Sequence, residues 1–163
     1  MDIVEEYELE KPTWTDADFD VMGWHDATLY AMAVVAEDFE LSFDIDYILR
    51  WVDPVPPTES FSFWVAPATL VFQGVQNIKV DVEIGYIQSI EIADIHREGP
   101  FPSADGTTNK WKWMIELQQG KIEFEATGFH QYFRRLPVCG TQQSIDIAER
   151  GGISFDRRFR PRV

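Results

Sequence analysis

The sequence predicts an all-β protein, mainly antiparallel, in which about eight strands form a sandwich or a partly closed barrel behind a short N-terminal helix. Several segments alternate apolar and polar residues with the period of two that is typical of half-buried strands. These segments are short, and glycine, proline and small polar residues separate them. They do not alternate with segments of helical periodicity, so a parallel sheet is not expected. A chain of 163 residues has the usual size of one domain, and we expect residues 1–163 to form a single one.

The N-terminal part is expected to consist of an arm and a helix. Residues 1–13 are acidic, contain few apolar residues and predict an extended arm. Thr15 and Asp18 match a capping box, which predicts a short helix over residues 16–22. Gly23 is expected to end this helix.

We expect the β core to occupy residues 24–138 and residues 139–163 to form an irregular, basic tail. Residues 53–57 contain three prolines, which interrupt strand pairing because proline cannot donate to a ladder. Residues 99–109, rich in glycine, proline and small polar side chains, predict a surface loop. The predicted strands are residues 27–36, 41–49, 61–65, 69–72, 78–84, 86–96, 111–117, 121–127 and 129–138.

Residues 111–127 predict a hairpin whose apolar side chains share one face. The short connection Gln118-Gln119-Gly120 favours a tight turn between its two strands. We expect the alternating apolar residues of both strands to face the core: Trp111, Trp113, Ile115 and Leu117 on the first, and Ile122, Phe124 and Ala126 on the second.

The formal net charge of −14 comes entirely from the first 60 residues. That segment holds 16 acidic residues against Lys11 and Arg50, whereas the acids and bases of residues 61–163 cancel. Such a field repels nucleic acid and anionic membranes and attracts cations or basic proteins. We therefore expect a cationic protein partner, no nucleic-acid partner and no membrane partner. The alternative interpretation is that the acidic surface only keeps the protein soluble.

The strand over residues 41–49 places Asp44 and Asp46 on its polar face, with Cα atoms roughly 6–7 Å apart. We predict that both side chains point to solvent and that, together with Glu37 and Asp38, they form a partner-binding surface. Two carboxylates alone do not complete a cation site, and no calcium-loop spacing is present. The alternative is a solvated strand face with no function.

A possible polar site surrounds Trp24, His25 and Asp26, with His96 as a further member. A carboxylate beside an imidazole can orient it for proton transfer. The alternative is that His25 and Asp26 bind backbone groups where the first long strand begins. The three histidines are far apart in the sequence, so we predict no metal site, and we predict no catalytic residue and no cofactor.

The C-terminal arginines, Arg157, Arg158, Arg160 and Arg162, are expected to lie across the acidic first third, within the molecule or between copies. Cys139 is the single cysteine, so no intrachain disulfide can form. No apolar stretch approaches the roughly 18 residues of a membrane span, and the N-terminus lacks the pattern of a secretory signal. A cytoplasmic location is expected.

Three features resemble one group of proteins: Trp24-His25-Asp26 at the start of the first strand, the segment Leu70-x-Phe72-x-x-Val75-x-x-Ile78, and the late hairpin from Trp113 to Phe124. They resemble the small cytoplasmic immunity proteins of bacterial polymorphic-toxin systems and the uncharacterised bacterial domains related to them. The similarity covers roughly residues 24–128. It implies a non-enzymatic inhibitor that binds and blocks a toxin, and it does not account for the arm or the basic tail.

We therefore expect an acidic binding protein for a cationic protein partner, of the kind represented by an immunity protein that inhibits a basic toxin such as a nuclease. Two alternatives remain open. One is an enzyme or small-ligand-binding protein with a site at a barrel mouth around His25 and Asp26. The other is a structural subunit of a homo-oligomer.

Overall fold

The computed structural model describes residues 7–161, a range that contains ten strands and two short 3₁₀ helices. The helices are Asp16–Val21 and Ala36–Asp38. The strands are β1 (Thr13–Thr15), β2 (Thr28–Val35), β3 (Glu40–Val52), β4 (Ser62–Gln73), β5 (Gln76–Val82), β6 (Ile90–Pro102), β7 (Asn109–Leu117), β8 (Gly120–Ala126), β9 (Gly128–Phe133) and β10 (Val138–Gly140).

All strand pairs are antiparallel, and the strands form one open sheet in the order β1-β9-β4-β3-β2-β6-β7-β8-β5, with β10 beside β4. The predicted all-β, antiparallel fold class is confirmed. Within the described range the strands number ten instead of about eight. β1 and β10, which the sequence did not reveal, have three residues each and are too short to show an alternating pattern.

The sheet folds over so that its two halves pack face to face. β1, β9, β4, β3 and β2 form the first half-sheet, and β6, β7, β8 and β5 form the second; only two residue pairs between β2 and β6 join them. Phe72 of β4 contacts Phe124 of β8 and Trp113 of β7, with ring centroids 4.6 and 5.1 Å apart. Phe43 of β3 contacts the same Phe124. The main core therefore lies between the inner faces of the two half-sheets.

The β7–β8 hairpin matches its prediction. Trp113 pairs with Phe124 and Ile115 pairs with Ile122, and all four side chains are buried. Gln118 and Gln119 alone separate the two strands, so the turn is tight. Because side chains alternate between the faces of a strand, the same strands place their charged residues on the outer face of the second half-sheet.

Pro67 lies in the middle of β4, where the sequence predicted two separate strands. The Pro67 carbonyl accepts a hydrogen bond from the Arg134 N–H at 3.0 Å, on the side of β4 that faces β9 and β10. The N–H and C=O of a strand residue point to the same side, so the missing proline N–H also lies there. β9 pairs with β4 only from Ala68 onward and β10 only up to Val65, so Pro67 occupies the gap between them and interrupts neither ladder.

The predicted loop at residues 99–109 is shorter in the structure. β6 continues to Pro102 and β7 begins at Asn109, which leaves residues 103–108 as the connection. The register between β6 and β7 shifts between Glu98 and Phe101. This bulge accommodates Gly99 and Pro100, since an unpaired strand position tolerates a residue that cannot donate to the ladder.

The predicted N-terminal helix is present as a 3₁₀ helix. Thr15 caps it, and the Thr15 hydroxyl and the Asp18 carboxylate both make the reciprocal bonds of a capping box. Asp16 fixes the helix to β9, because its carboxylate accepts the Phe129 N–H at 3.2 Å. A Cβ added at Gly128 would lie 2.3 Å from this carboxylate and would displace it, so glycine at this position preserves the contact.

Residues 1–6 of the predicted arm and residues 162 and 163 of the tail lie outside the described range. Within residues 7–161, no helix combines the length and the apolar character needed to cross a membrane.

Candidate functional site

Asp44 and Asp46 do not face solvent, and the prediction that they form an exposed binding surface is wrong. Both residues are fully buried. β3 has the alternating pattern of a strand with one exposed face, yet all residues from Leu41 to Ile48 are buried. Both faces of this strand are therefore covered.

The cover on the outer face is residues 141–160, which we call the C-terminal strap. Ile145 of the strap packs with Ile48, Phe63 and Val65 in a second apolar cluster on that face. The Ile145 N–H donates to Asp46 at 2.7 Å. The strap thus covers the first half-sheet on the side opposite to the main core.

Asp44 binds two arginines. Its Oδ1 accepts from Arg134 and from Arg150, both at 2.7 Å. Its Oδ2 accepts from a second nitrogen of Arg150 and from the Ser154 N–H, both at 2.9 Å. Arg150 is therefore bidentate on this carboxylate, a geometry that adds strength and direction to the ion pair.

Asp46 completes the buried cluster. Its Oδ1 accepts from Arg150 Nε at 3.0 Å, and its Oδ2 lies 2.8 Å from the Tyr30 hydroxyl, which donates to it. The Arg150 guanidinium also lies over the Tyr30 ring, 3.9 Å from its centroid. Burial, followed by the negative charge of Asp46, raises the pKa of Tyr30 well above its usual range, so Tyr30 stays a protonated donor.

The four charged groups of this cluster balance, with two carboxylates against Arg134 and Arg150. Burial acts to lower the pKa of Arg150, but the hydrogen bonds that Arg150 donates to Asp44 and the charges of both carboxylates outweigh burial and raise that pKa. Leaving any one of the four groups without its partners would place an uncompensated charge in the interior, which is costly. The cluster is therefore an anchor that holds the strap on the sheet.

Sequence reasoning did not find Arg134 and Arg150. They are separated from Asp44 by about 90 and 106 positions, and neither belongs to a motif. One signal was available: a strand with two aspartates on its polar face, in a chain whose later part contains arginines that can neutralise them, permits a buried pairing as well as an exposed face.

Glu37 and Asp38, the other two residues of the predicted binding surface, are exposed. They lie in the turn between β2 and β3 (residues 36–39, the β2–β3 turn). Phe39 follows them with a left-handed backbone, and 67% of its surface is accessible to solvent. The Phe39 carbonyl accepts the Val75 N–H at 2.9 Å, so the turn is fixed to the sheet while its side chains project outward.

The possible polar site around His25 is assembled in part, because His25 Nε2 lies 3.6 Å from the Asp26 carboxylate. His25 is exposed, and its Nδ1 lies 3.1 Å from the Ala93 carbonyl. The Asp26 N–H donates to Ile92 O, and the Asp26 carboxylate accepts from Gln143 of the strap. Trp24 is buried in the core, where its indole N–H donates to Gln131 at 2.8 Å. These contacts favour the alternative of backbone binding at the start of β2, with Asp26 also bound to the strap.

His96 lies elsewhere, on the outer face of the second half-sheet. Its Nε2 is 2.8 Å from the Glu116 carboxylate on β7, and His25 makes no hydrogen bond with it in the described range. His96 lines an open groove of about 520 Å³ on β6, β7 and β8. The other charged residues that line this groove are Arg97, Glu98, Lys112, Glu123 and Glu125.

The basic tail was expected to lie across the acidic first third, and Arg157 does so. Its guanidinium binds the Glu40 carboxylate at 2.7 Å, at the start of β3. Arg158 instead lies 3.8 Å from Asp156 within the strap. Arg160 binds the segment just after β9 through its backbone, since its N–H donates to Arg134 O. Arg162 lies outside the described residues.

The fold and the site together define an all-β antiparallel protein whose C-terminal strap is anchored by a buried ion cluster. Among residues 7–161, no three His, Cys, Asp or Glu side chains are grouped closely enough to hold a metal ion. No protein-family model, curated protein or solved structure matches this chain.

Proposed function

We propose that this protein is an acidic binding protein for a cationic protein partner and that the β2–β3 turn is the centre of its binding surface. The observation that carries the proposal is the exposure of Glu37, Asp38 and Phe39 together on a turn whose backbone is fixed to the sheet. A few aromatic and charged anchors provide most of the energy in many protein interfaces. A fixed turn presents such anchors at a low entropic cost.

The charge distribution supports a cationic partner. Asp44 and Asp46 are neutralised inside the molecule, and Glu40 and Asp18 are paired with Arg157 and Lys11. Other acidic residues of the first third remain on the surface. These are Glu8, Glu10, Asp20, Glu37, Asp38, Asp53 and Glu59. Few bases lie in this segment to offset these carboxylates. The field of the carboxylates therefore attracts a basic surface and speeds its association.

We propose further that the partner is a basic toxin such as a nuclease, which this protein would inhibit by covering it. The resemblance of residues 24–128 to immunity proteins supports this identity for the partner. His25 and Asp26 lie 3.6 Å apart and also bind the Ala93 carbonyl and Gln143 of the strap, and these contacts support a structural, non-enzymatic role for the pair.

The test is to capture the partner from the source organism with the tagged protein and to measure its binding kinetics at two salt concentrations. The double variant Glu37→Gln/Asp38→Asn should slow association several-fold at low salt, and Phe39→Ala should speed dissociation. The matched control is Asp53→Asn/Glu59→Gln, which removes the same charge from another exposed loop. Its association rate should fall less than that of the turn variant.

Three results would contradict the proposal. The first is a partner with an acidic surface, and the second is an association rate that does not depend on salt. The third is equal slowing of association by the turn variant and by the control, because the turn would then contribute only through the net charge of the protein.

A second candidate is a small-ligand site in the groove that His96 lines. The hydrogen-bonded pair of His96 and Glu116 beside an open volume of about 520 Å³ favours it. A thermal-shift screen against charged metabolites, repeated with His96→Ala, tests this candidate. Stabilisation that disappears in the variant would support it.

A further inference from the structure

We propose that this protein forms a symmetric dimer by pairing strand β5 with β5 of a second copy. The proposal does not depend on the proposed cationic partner. β5 and β1 are the two edges at the ends of the strand order, besides the three-residue strand β10, which pairs only with β4; an edge strand offers unpaired backbone groups to another strand.

The two edges differ in how well they are protected. β1 has only three residues, follows Pro12, and each of its residues is partly buried. β5 has seven residues, and six of them are exposed. Its half-exposed side chains include Ile78 and Val80, which are 37% and 49% accessible. β5 is thus the longer and more exposed of the two end strands, and it can accept a further strand.

The hydrogen-bond pattern of β5 leaves the required groups free. The Glu83 N–H donates to Gln119 O, and the register with β8 has no shift from Lys79 to Val82. In an antiparallel ladder every second residue forms a hydrogen-bonded pair with the same neighbouring strand. Because Glu83 is bonded to Gln119, which directly precedes β8, Asp81 and Lys79 also direct their backbone groups toward β8. The N–H and C=O groups of Val80 and Val82 then point away from β8, toward the open edge.

Charge complementarity selects one register for a second copy. An antiparallel pair centred on Val80 places Val80 opposite Val80 of the second copy and Lys79 opposite its Asp81, twice by symmetry. Shifting the centre to Lys79 would place two lysines opposite each other, and shifting it to Asp81 would place two aspartates together. Opposite charges directly across a pair stabilise it and like charges destabilise it.

The same register also matches the apolar side chains. It places Ile78 opposite Val82 of the second copy on the inner face of the sheet, where Val82 already packs against the core. The half-exposed Val80 side chains would cover each other at the symmetry axis. Pairing therefore extends both the hydrogen-bond ladder and the apolar core across the two copies.

A charge-exchange experiment tests this register by sedimentation velocity. The wild-type protein should show a dimer that dissociates on dilution. Lys79→Asp and Asp81→Lys should each weaken self-association at least about tenfold, because each converts two attractive pairs into two repulsive ones. An equal mixture of the two variants restores opposite charges at every pair, so it should form a mixed dimer. Lys112→Asp on the interior strand β7 makes the same charge change as Lys79→Asp and should leave the dimer intact.

Crosslinking gives a second, independent test. In a Cys139→Ser background, which removes the exposed native thiol, Val80→Cys should form a disulfide-linked dimer under mild oxidation, since Cα atoms of directly opposed residues lie about 5.5 Å apart. Ile78→Cys is the matched control on the same strand. The two copies of position 78 would be separated by four residue steps, roughly 13 Å, and should not crosslink.

A wild-type protein that stays monomeric at the highest accessible concentration would overturn the proposal. So would a dimer that both charge variants retain, or equal crosslinking at positions 78 and 80, because each of these outcomes removes β5 in this register from the interface.

Discussion

Replacing Asp44 by asparagine should destabilise the protein severely, although the change removes only one charge and almost no volume. The side chain is fully buried and its two oxygens accept four hydrogen bonds, three from arginines and one from the Ser154 N–H. Asparagine keeps one acceptor oxygen, but its NH₂ group replaces the other oxygen and faces N–H donors to which it cannot bond. Asp46 alone would then face Arg134 and Arg150, which leaves one buried positive charge uncompensated.

The magnitude follows from the burial of the cluster. Removing one partner of a buried ion pair costs about 3–5 kcal/mol, which is a large part of the 5–15 kcal/mol that stabilises a typical domain. For a chain of this size each kcal/mol lowers the melting temperature by about 2–4 °C, so we expect a fall of about 6–20 °C. Urea unfolding followed by tryptophan fluorescence gives the corresponding free energy of unfolding.

A double-mutant cycle separates charge balance from packing. Arg150→Met alone leaves an excess negative charge, whereas Asp44→Asn with Arg150→Met leaves Asp46 and Arg134 in balance. The double variant should therefore be more stable than the sum of the single effects predicts, by at least about 1 kcal/mol. Asp53→Asn, an exposed carboxylate, is the control and should change stability by less than about 0.5 kcal/mol. Additive effects, or an Asp44→Asn variant as stable as the control, would refute the role assigned to the cluster.

Two further predictions concern local contacts. Gly128→Ala should lower stability by about 1–3 kcal/mol in the same unfolding assay, because the new Cβ would displace the Asp16 carboxylate, whereas Gly23→Ala, which has open space around it, should have little effect. In the loop between β6 and β7, hydrogen bonds from Ser103 and then from Thr107 lower the pKa of Asp105 from 3.8 to about 2. Since the folded-state pKa is the lower one, the ordering of this loop should be complete above pH 3.8 and lost as the pH falls toward 2. An NMR titration of the Asp105 carboxyl carbon should show this low midpoint, and an unshifted midpoint near 3.8 would contradict it.

The parts of the fold that the sequence predicted are those in which neighbouring residues carry the signal. The β7–β8 hairpin was identified with its inward face because alternation and a short turn lie within one stretch of chain. The helix at residues 16–21 was found because its capping box spans only four residues. Strand β4 was divided incorrectly, since the effect of Pro67 depends on which strands flank it, and β9 and β10 come much later in the sequence.

The candidate site shows more clearly that local sequence patterns do not reveal contacts between distant segments. The alternation of β3 correctly placed Asp44 and Asp46 on the face opposite to Phe43 and Ile45, but it did not reveal what covers that face. Glu37 and Asp38 lie between the strands predicted over residues 27–36 and 41–49, and the structure places them in the connecting turn, where exposure follows from local geometry. Arg134 and Arg150 stayed unrecognised because they pair with Asp44 only after β9 and the strap have come to the sheet.

By itself the sequence determined the all-β class, which side chains share a face of each strand, and the acidity of the first third. These properties depend on the order of neighbouring residues and on composition, which the tertiary structure does not alter. Only the tertiary structure decided that the polar face of β3 is buried, that the two half-sheets enclose the core and that β5 is left as an exposed edge. The physical reason is that burial and charge pairing depend on groups far apart in the chain, so a carboxylate has the same sequence pattern whether water solvates it or an arginine neutralises it.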